Sequence, residues 1–135
     1  MVEWFADFAH VSFGGIGKVF AAMCAEAMII RYSPSILVNT GVGGAIAGDL
    51  KCADIVIADK LVQHDMDTSP IGDPKGLISG INKIWFDTDE RARDILTAAA
   101  NRLGLTAKVG SIASGDQFVA TSEVKERITS EFGAS

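Results

Sequence analysis

The residues suited to chemistry fall into a few short segments. His64-Asp65-Met66-Asp67 gathers one imidazole and two carboxylates. Such groups ligate metals, yet a closed site needs further ligands and the sequence offers none at ligand spacing. A solvated loop or a subunit contact accounts for them better than a metal does, so no metal is assigned. Gly14-Gly15-Ile16-Gly17-Lys18 has the look of a phosphate loop. It fails that pattern, because Val19 stands where Ser or Thr must follow the lysine and Ser12 where the first glycine belongs. Asn39-Thr40-Gly41-Val42-Gly43-Gly44 fails the dinucleotide pattern, since position 46 is Ile. Both read as turns that bring backbone close to another group. Ser114-Gly115-Asp116-Gln117-Phe118 offers a carboxylate and an aromatic ring. Asp116 serves either catalysis or a loop-fixing hydrogen bond; Phe118 either stacks on a flat ligand or fills core. Asp49 and Asp54 flank an apolar run and suit turn capping, while Trp4, Phe5 and Phe8 suit core or contact positions.

The elements that must position these groups alternate. Residues 9–13 read as a short strand running into Gly14-Gly15. Val19, Phe20, Met23, Cys24, Ala27 and Met28 recur at helical spacing over 18–32, with so few charges that the helix should be covered on most sides. Pro34 stops it, and Ile36-Leu37-Val38 reads as a buried parallel strand. A second apolar strand spans 54–58, extending toward Val62. Residues 64–80 hold Pro70, Gly72, Pro74 and Gly76 and form a long loop with one helical turn. A strand at 81–86 leads to a helix over 89–103. Thr88 is its N-cap, Ala92, Ile95, Leu96, Ala99 and Leu103 its inner stripe, and Gly104 its stop. A strand at 108–112 and a helix capped by Thr121 or Ser122, running to Phe132, complete the chain.

This alternation predicts an α/β layer fold with a mostly parallel sheet flanked by helices. Ligands in such sheets sit at the carboxyl ends of strands, which selects residues 39–44 and 114–119. The last helix has no strand after it to cover, so an open sheet edge is expected and the chain reads as a single incomplete domain, 1–135.

Composition excludes several classes. The 135 residues carry 12 Lys and Arg against 17 Asp and Glu, a net charge of −5 that disfavours nucleic acid. Hydrophobic residues at 48% against 21% charged exclude a disordered chain. No apolar run is long enough to cross a bilayer, and Met1-Val2-Glu3-Trp4 has no signal-peptide character. Cys24 and Cys52 lie outside any paired spacing and read as buried thiols of a reducing compartment, the cytoplasm.

The order of Gly-Ile-Gly-Lys-Val at 15–19, Asn-Thr-Gly-x-Gly-Gly at 39–44, Ala-Asp-Ile-Val-Ile-Ala-Asp at 53–59, His-Asp-x-Asp at 64–67 and Ser-Gly-Asp-x-Phe at 114–118 resembles the 5'-methylthioadenosine/S-adenosylhomocysteine nucleosidases of the purine nucleoside phosphorylase-like superfamily. The resemblance runs from about Gly14 to the last residue. It implies a partial three-layer fold, without the family's first strand and C-terminal units, and hydrolysis of the adenine–ribose bond without metal or organic cofactor. It also implies a homodimer or larger homo-oligomer. Ile16 and Val42, Gly43 and Gly44 would border the ribose and the water. Phe118 would stack on adenine and the Val119 backbone would hydrogen-bond the base. Thr68 and Ile71 would line the alkylthio pocket of the other subunit. Valine at position 42 cannot bind an anion, which opposes a phosphate-using enzyme. Nothing in 1–13 matches the family's base, and its ribose-gripping Met-Glu segment and catalytic aspartate follow the region matching Ser135. The catalytic residues are therefore unassigned and activity is expected to be impaired. Two other readings remain open: a non-catalytic binding or assembly module, and a related purine nucleoside phosphorylase or hydrolase.

Overall fold

The computed structural model describes residues 3–6 and 9–134, with side chains from residue 9 onward. Phe8 lies outside the described residues, as do the side chains of Trp4 and Phe5. Two compact units make up the chain, Met1–Val42 and Gly43–Ser135.

The first unit opens with strands β1, Glu3–Ala6, and β2, Ala9–Ser12, paired antiparallel from Glu3 opposite Ser12 to Ala6 opposite Ala9. Only β2 is legible as a strand in the sequence. Helix α1 spans Lys18–Tyr32, the predicted limits. Gly17 precedes it at φ 92°, a backbone state that favours glycine, and Ser33 ends it in the left-handed region with its N–H donating to the Ile29 carbonyl. Cys24 is the buried residue of this helix, and its Sγ donates to Ser12 Oγ at 3.6 Å. The expected cover is absent among the described residues: Val19, Phe20, Met23, Ile29 and Ile30 are all exposed. The strand expected at 36–38 is also absent. Ile36, Leu37 and Val38 are at least half exposed, and an apolar run with no neighbour to share its N–H and C=O groups gains nothing from the extended ladder.

The second unit is built on β3, Ile55–Gln63. It lies between β4, Trp85–Asp87, and β5, Ala107–Ser114. The β3–β5 pair is parallel and the β3–β4 pair antiparallel, so the α/β reading holds with a mixed sheet. The register passes from Ala58 opposite Gly110 to Leu61 opposite Ile112. Asp59 and Lys60 together thus face Ser111, which makes a bulge. Strand β4 is shorter than the predicted 81–86 segment, and residues 78 and 83 close an isolated antiparallel bridge before it.

Helix α2, Glu90–Arg102, packs on β3 and β5. Its N-cap is Asp89, whose carboxylate accepts from the Ala92 N–H at 2.8 Å. Thr88, the expected cap, instead donates through Oγ1 to the carbonyls of Ala58 at 2.6 Å and Asp59 at 3.1 Å, tying the helix start to the bulge. The packing face is also rotated from the predicted stripe. Ala100 is buried and Ala92, Arg93, Thr97 and Ala99 are half-buried, whereas Ile95, Leu96 and Leu103 are exposed. Helix α3, Ser122–Phe132, is capped by Thr121, and Ile128 is its buried residue. Phe132 meets Trp85 edge-on with ring centroids 6.3 Å apart, and Ser111 Oγ donates to the Gly133 carbonyl at 3.3 Å. Val62, fully buried, lies beside Gly76, where an added Cβ would come within 3.1 Å of Val62 and 3.0 Å of Phe132. The loop at 64–80 holds one 3-10 turn, Ser69–Ile71, as expected. No helix among the described residues is long and apolar enough to cross a membrane.

Candidate functional site

Strands β3 and β5 run in one direction, so their carboxyl ends lie side by side and launch two loops from one edge of the sheet. The last register pair is Gln63 opposite Ser114, and the His64 N–H continues the ladder by donating to the Ser114 carbonyl at 3.0 Å. His64 is buried, 4% exposed. Gly115 lies directly against it. A Cβ at residue 115 would sit 2.5 Å from His64 Nε2 and 3.0 Å from the Asp65 carboxyl carbon. Asp65 Oδ2 accepts from the Asp116 N–H at 2.8 Å. The loop is thus fixed through the backbone N–H of Asp116, with Asp65 supplying the carboxylate. Phe118 follows two residues later and is 95% exposed, which removes the core reading and leaves a bare aromatic face. Val119 is half-buried.

Sequence reasoning missed the link between His64-Asp65 and Ser114-Gly115-Asp116. The signal was present: both segments end strands predicted to be parallel, and adjacent parallel strands place their ends together.

The other predicted residues are placed as follows. Thr68 is half-buried and its Oγ1 donates to Asp73 Oδ2 at 2.9 Å. Ile71, in the 3-10 turn, is 80% exposed. Ile16 and Val42 belong to the first unit, both exposed, and Gly43 and Gly44 begin the second with open space where a Cβ would be. Residues 39–44 form neither helix nor strand. Among the described residues no three His, Cys, Asp or Glu side chains converge in a group that could hold a metal. Cys24 is buried as expected, whereas Cys52 is exposed, because it sits in the turn that precedes β3 rather than inside the strand.

Charge in this unit is held by pairs both near and far in sequence. Asp54 Oδ2 accepts from the Lys51 N–H at 2.8 Å, the turn cap expected of it. Asp49 instead pairs with Lys108, Nζ to Oδ2 at 2.7 Å, and the hydrogen bond and charge of that lysine hold its carboxyl below the usual range. Asp67 is held below that range by the Ser69 hydroxyl and backbone N–H, the latter at 2.9 Å from Oδ1. Lys75 and Arg127 both pair with Glu131, tying the 64–80 loop to α3.

The chain is 38% identical over 125 residues to the aminodeoxyfutalosine nucleosidase of Helicobacter pylori, covering 93% of this chain and 54% of that protein. It is 36% identical over 118 residues to the 5'-methylthioadenosine/S-adenosylhomocysteine nucleosidase of Haemophilus influenzae, covering 87% of this chain and 51% of that protein. The structure superimposes on a Helicobacter pylori MTAN mutant with 5'-methylthioadenosine in the active site. The TM-score is 0.89 at 37% identity, over 93% of this chain and 54% of that one. The chain thus spans about half the length of the curated relatives it matches. Residues 6–135, which carry the parallel β3–β5 pair and its two end loops, match the phosphorylase superfamily throughout, and the chain belongs to that family.

Proposed function

We propose that residues 1–135 form an incomplete nucleosidase-like domain that contributes the base-facing wall of a site hydrolysing the adenine–ribose bond of 5'-methylthioadenosine, S-adenosylhomocysteine or aminodeoxyfutalosine. The observation that carries this reading is Phe118, a bare aromatic face on a loop anchored at the ends of two parallel strands. The identities of 36–38% to nucleosidases that cleave such compounds support it. Phe118 stacks on adenine and the Val119 backbone hydrogen-bonds the base. Ile16 and the turn of Val42, Gly43 and Gly44 border the ribose. Thr68 and Ile71 serve the alkylthio pocket of another copy in a homo-oligomer. Neither a metal nor an organic cofactor takes part. The free thiols of Cys24 and Cys52 suit a cytoplasmic setting.

The chemistry explains why such a wall matters. As the bond to adenine breaks, positive charge develops on the sugar and negative charge on the leaving purine, which a proton donor must meet. A stacked, hydrogen-bonded purine is held where that proton can arrive. On the resemblance to the nucleosidases, the family's acid, base and ribose carboxylate have no counterpart in 1–135. Each such group typically contributes a hundredfold or more, so the 135 residues by themselves hydrolyse slowly, by at least about 10²-fold against a complete enzyme.

The test is adenine release from 5'-methylthioadenosine by the purified chain, with and without phosphate, alongside adenine binding by calorimetry. Adenine binding with slow, phosphate-independent release supports the proposal. Phosphate-dependent release would assign a phosphorylase, and absence of adenine binding by folded protein would end the nucleosidase reading. A second reading, an assembly module, is favoured by the uncovered apolar face of α1.

A further inference from the structure

We propose that Asp65 and His64 are positioning residues for the base-facing loop: the Asp65 carboxylate holds the loop by the Asp116 N–H while the His64 imidazole forms the floor on which Gly115 lies. This rests on the nucleosidase reading above and adds residues to which the resemblance gives no role.

The geometry points to a clamp made from both strand ends. His64 is buried and cannot swing away to solvent, and Gly115 is pressed so closely on its ring that no side chain fits between them. The loop therefore leaves β5 in contact with a fixed surface. One residue later the Asp116 N–H is taken by Asp65 at 2.8 Å. A carboxylate acceptor makes this bond stronger than one between neutral groups. Phe118 stands two residues beyond the anchored amide, a span of at most about 7 Å. An exposed aromatic ring receives no packing of its own to fix it, so the anchor on its chain sets the region it can sample.

Two substitutions separate positioning from general support. Asp65→Ala removes the acceptor; Asp65→Asn keeps an oxygen that can accept from the same N–H. Amide hydrogen exchange at residues 116–119 and adenine affinity are read on the full chain for wild type and both variants. In Asp65→Ala, residues 116–119 should lose protection and adenine affinity should fall about tenfold, the loss expected for one charge-assisted hydrogen bond. Protection in α2 and α3 should stay unchanged. Asp65→Asn should restore both properties to within about threefold, since a neutral acceptor retains most of the anchor. The proposal is overturned if Asp65→Ala exchanges like wild type, if it loses protection yet binds adenine normally, or if Asp65→Asn behaves like Asp65→Ala. Should wild type bind no adenine, the nucleosidase reading fails by itself. The exchange comparison then still decides the clamp, which stands if residues 116–119 lose protection in Asp65→Ala alone and falls otherwise.

Discussion

A methyl group at residue 115 would lie 2.5 Å from His64 Nε2, and the buried imidazole has no room to retreat. Gly115→Ala should therefore destabilise the fold by about 1–3 kcal/mol, the range for overpacking, read as a lower urea midpoint. Phe118→Ala should behave in the opposite way. Its ring touches little, so stability should stay within about 0.5 kcal/mol of wild type. Adenine affinity should drop by about 1–3 kcal/mol, the usual loss when a stacking ring is removed. Equal destabilisation by both changes would refute this division. At Asp49, the Lys108 ammonium lowers the folded pKa. The pair's contribution to stability is complete above the ordinary carboxylate range and is lost as pH falls through the lowered folded value. A carbon-detected NMR titration of Lys108→Met should show the Asp49 midpoint rising toward its ordinary position. An unmoved midpoint would remove Lys108 as the cause.

Single elements differ in how far their own residues define them. Helix α2 takes its start from Asp89, and Asp89→Ala should cost about 1 kcal/mol, measured by thermal or urea unfolding. A change near zero would mean that Thr88, through its bonds to the β3 bulge, holds the helix start alone. The ends of α1 and α3 were legible because local chemistry marks them: Gly17 and Pro34 bracket one helix, Thr121 and Gly133 the other. Strands were legible only where a neighbour exists. The apolar run at 55–58 has a partner in β5 and begins β3, whereas the similar run at 36–38 has none among the described residues and stays irregular. The α2 stripe was misread by part of a turn, because Ala100 and Thr97 seat on the sheet where bulky Leu96 and Leu103 do not. Small residues there give a weak periodic signal. Of the site, Phe118 and its loop were visible as a motif. The pairing of Asp65 with Asp116 was not, since it depends on which strands become neighbours.

At the scale of the whole chain, the two units differ in how much apolar surface they retain. Phe20, Met23 and Ile30 of α1 are each more than 60% exposed. Contiguous apolar surface of this kind promotes association. Wild type should sediment as a concentration-dependent mixture or an oligomer, and a Phe20→Lys, Ile30→Lys double variant should shift it toward monomer and bind less anilinonaphthalene sulfonate. An unchanged sedimentation profile would show that this face does not drive association.

The hydrogen bond from Asp116 to Asp65 joins residues 51 positions apart. It cannot form until the parallel strands have found one another, and the entropy of closing that interval falls before any contact between them compensates. The loop should therefore be among the last parts of the second unit to order during folding, after the local turns of α2 and α3. On the proposed function, a purine held by Phe118 and Val119 would select chains that have completed this step. Adenine at a hundred times its Kd would then raise the free energy of unfolding by about 2.7 kcal/mol and act chiefly by slowing unfolding, leaving the early rate of refolding unchanged.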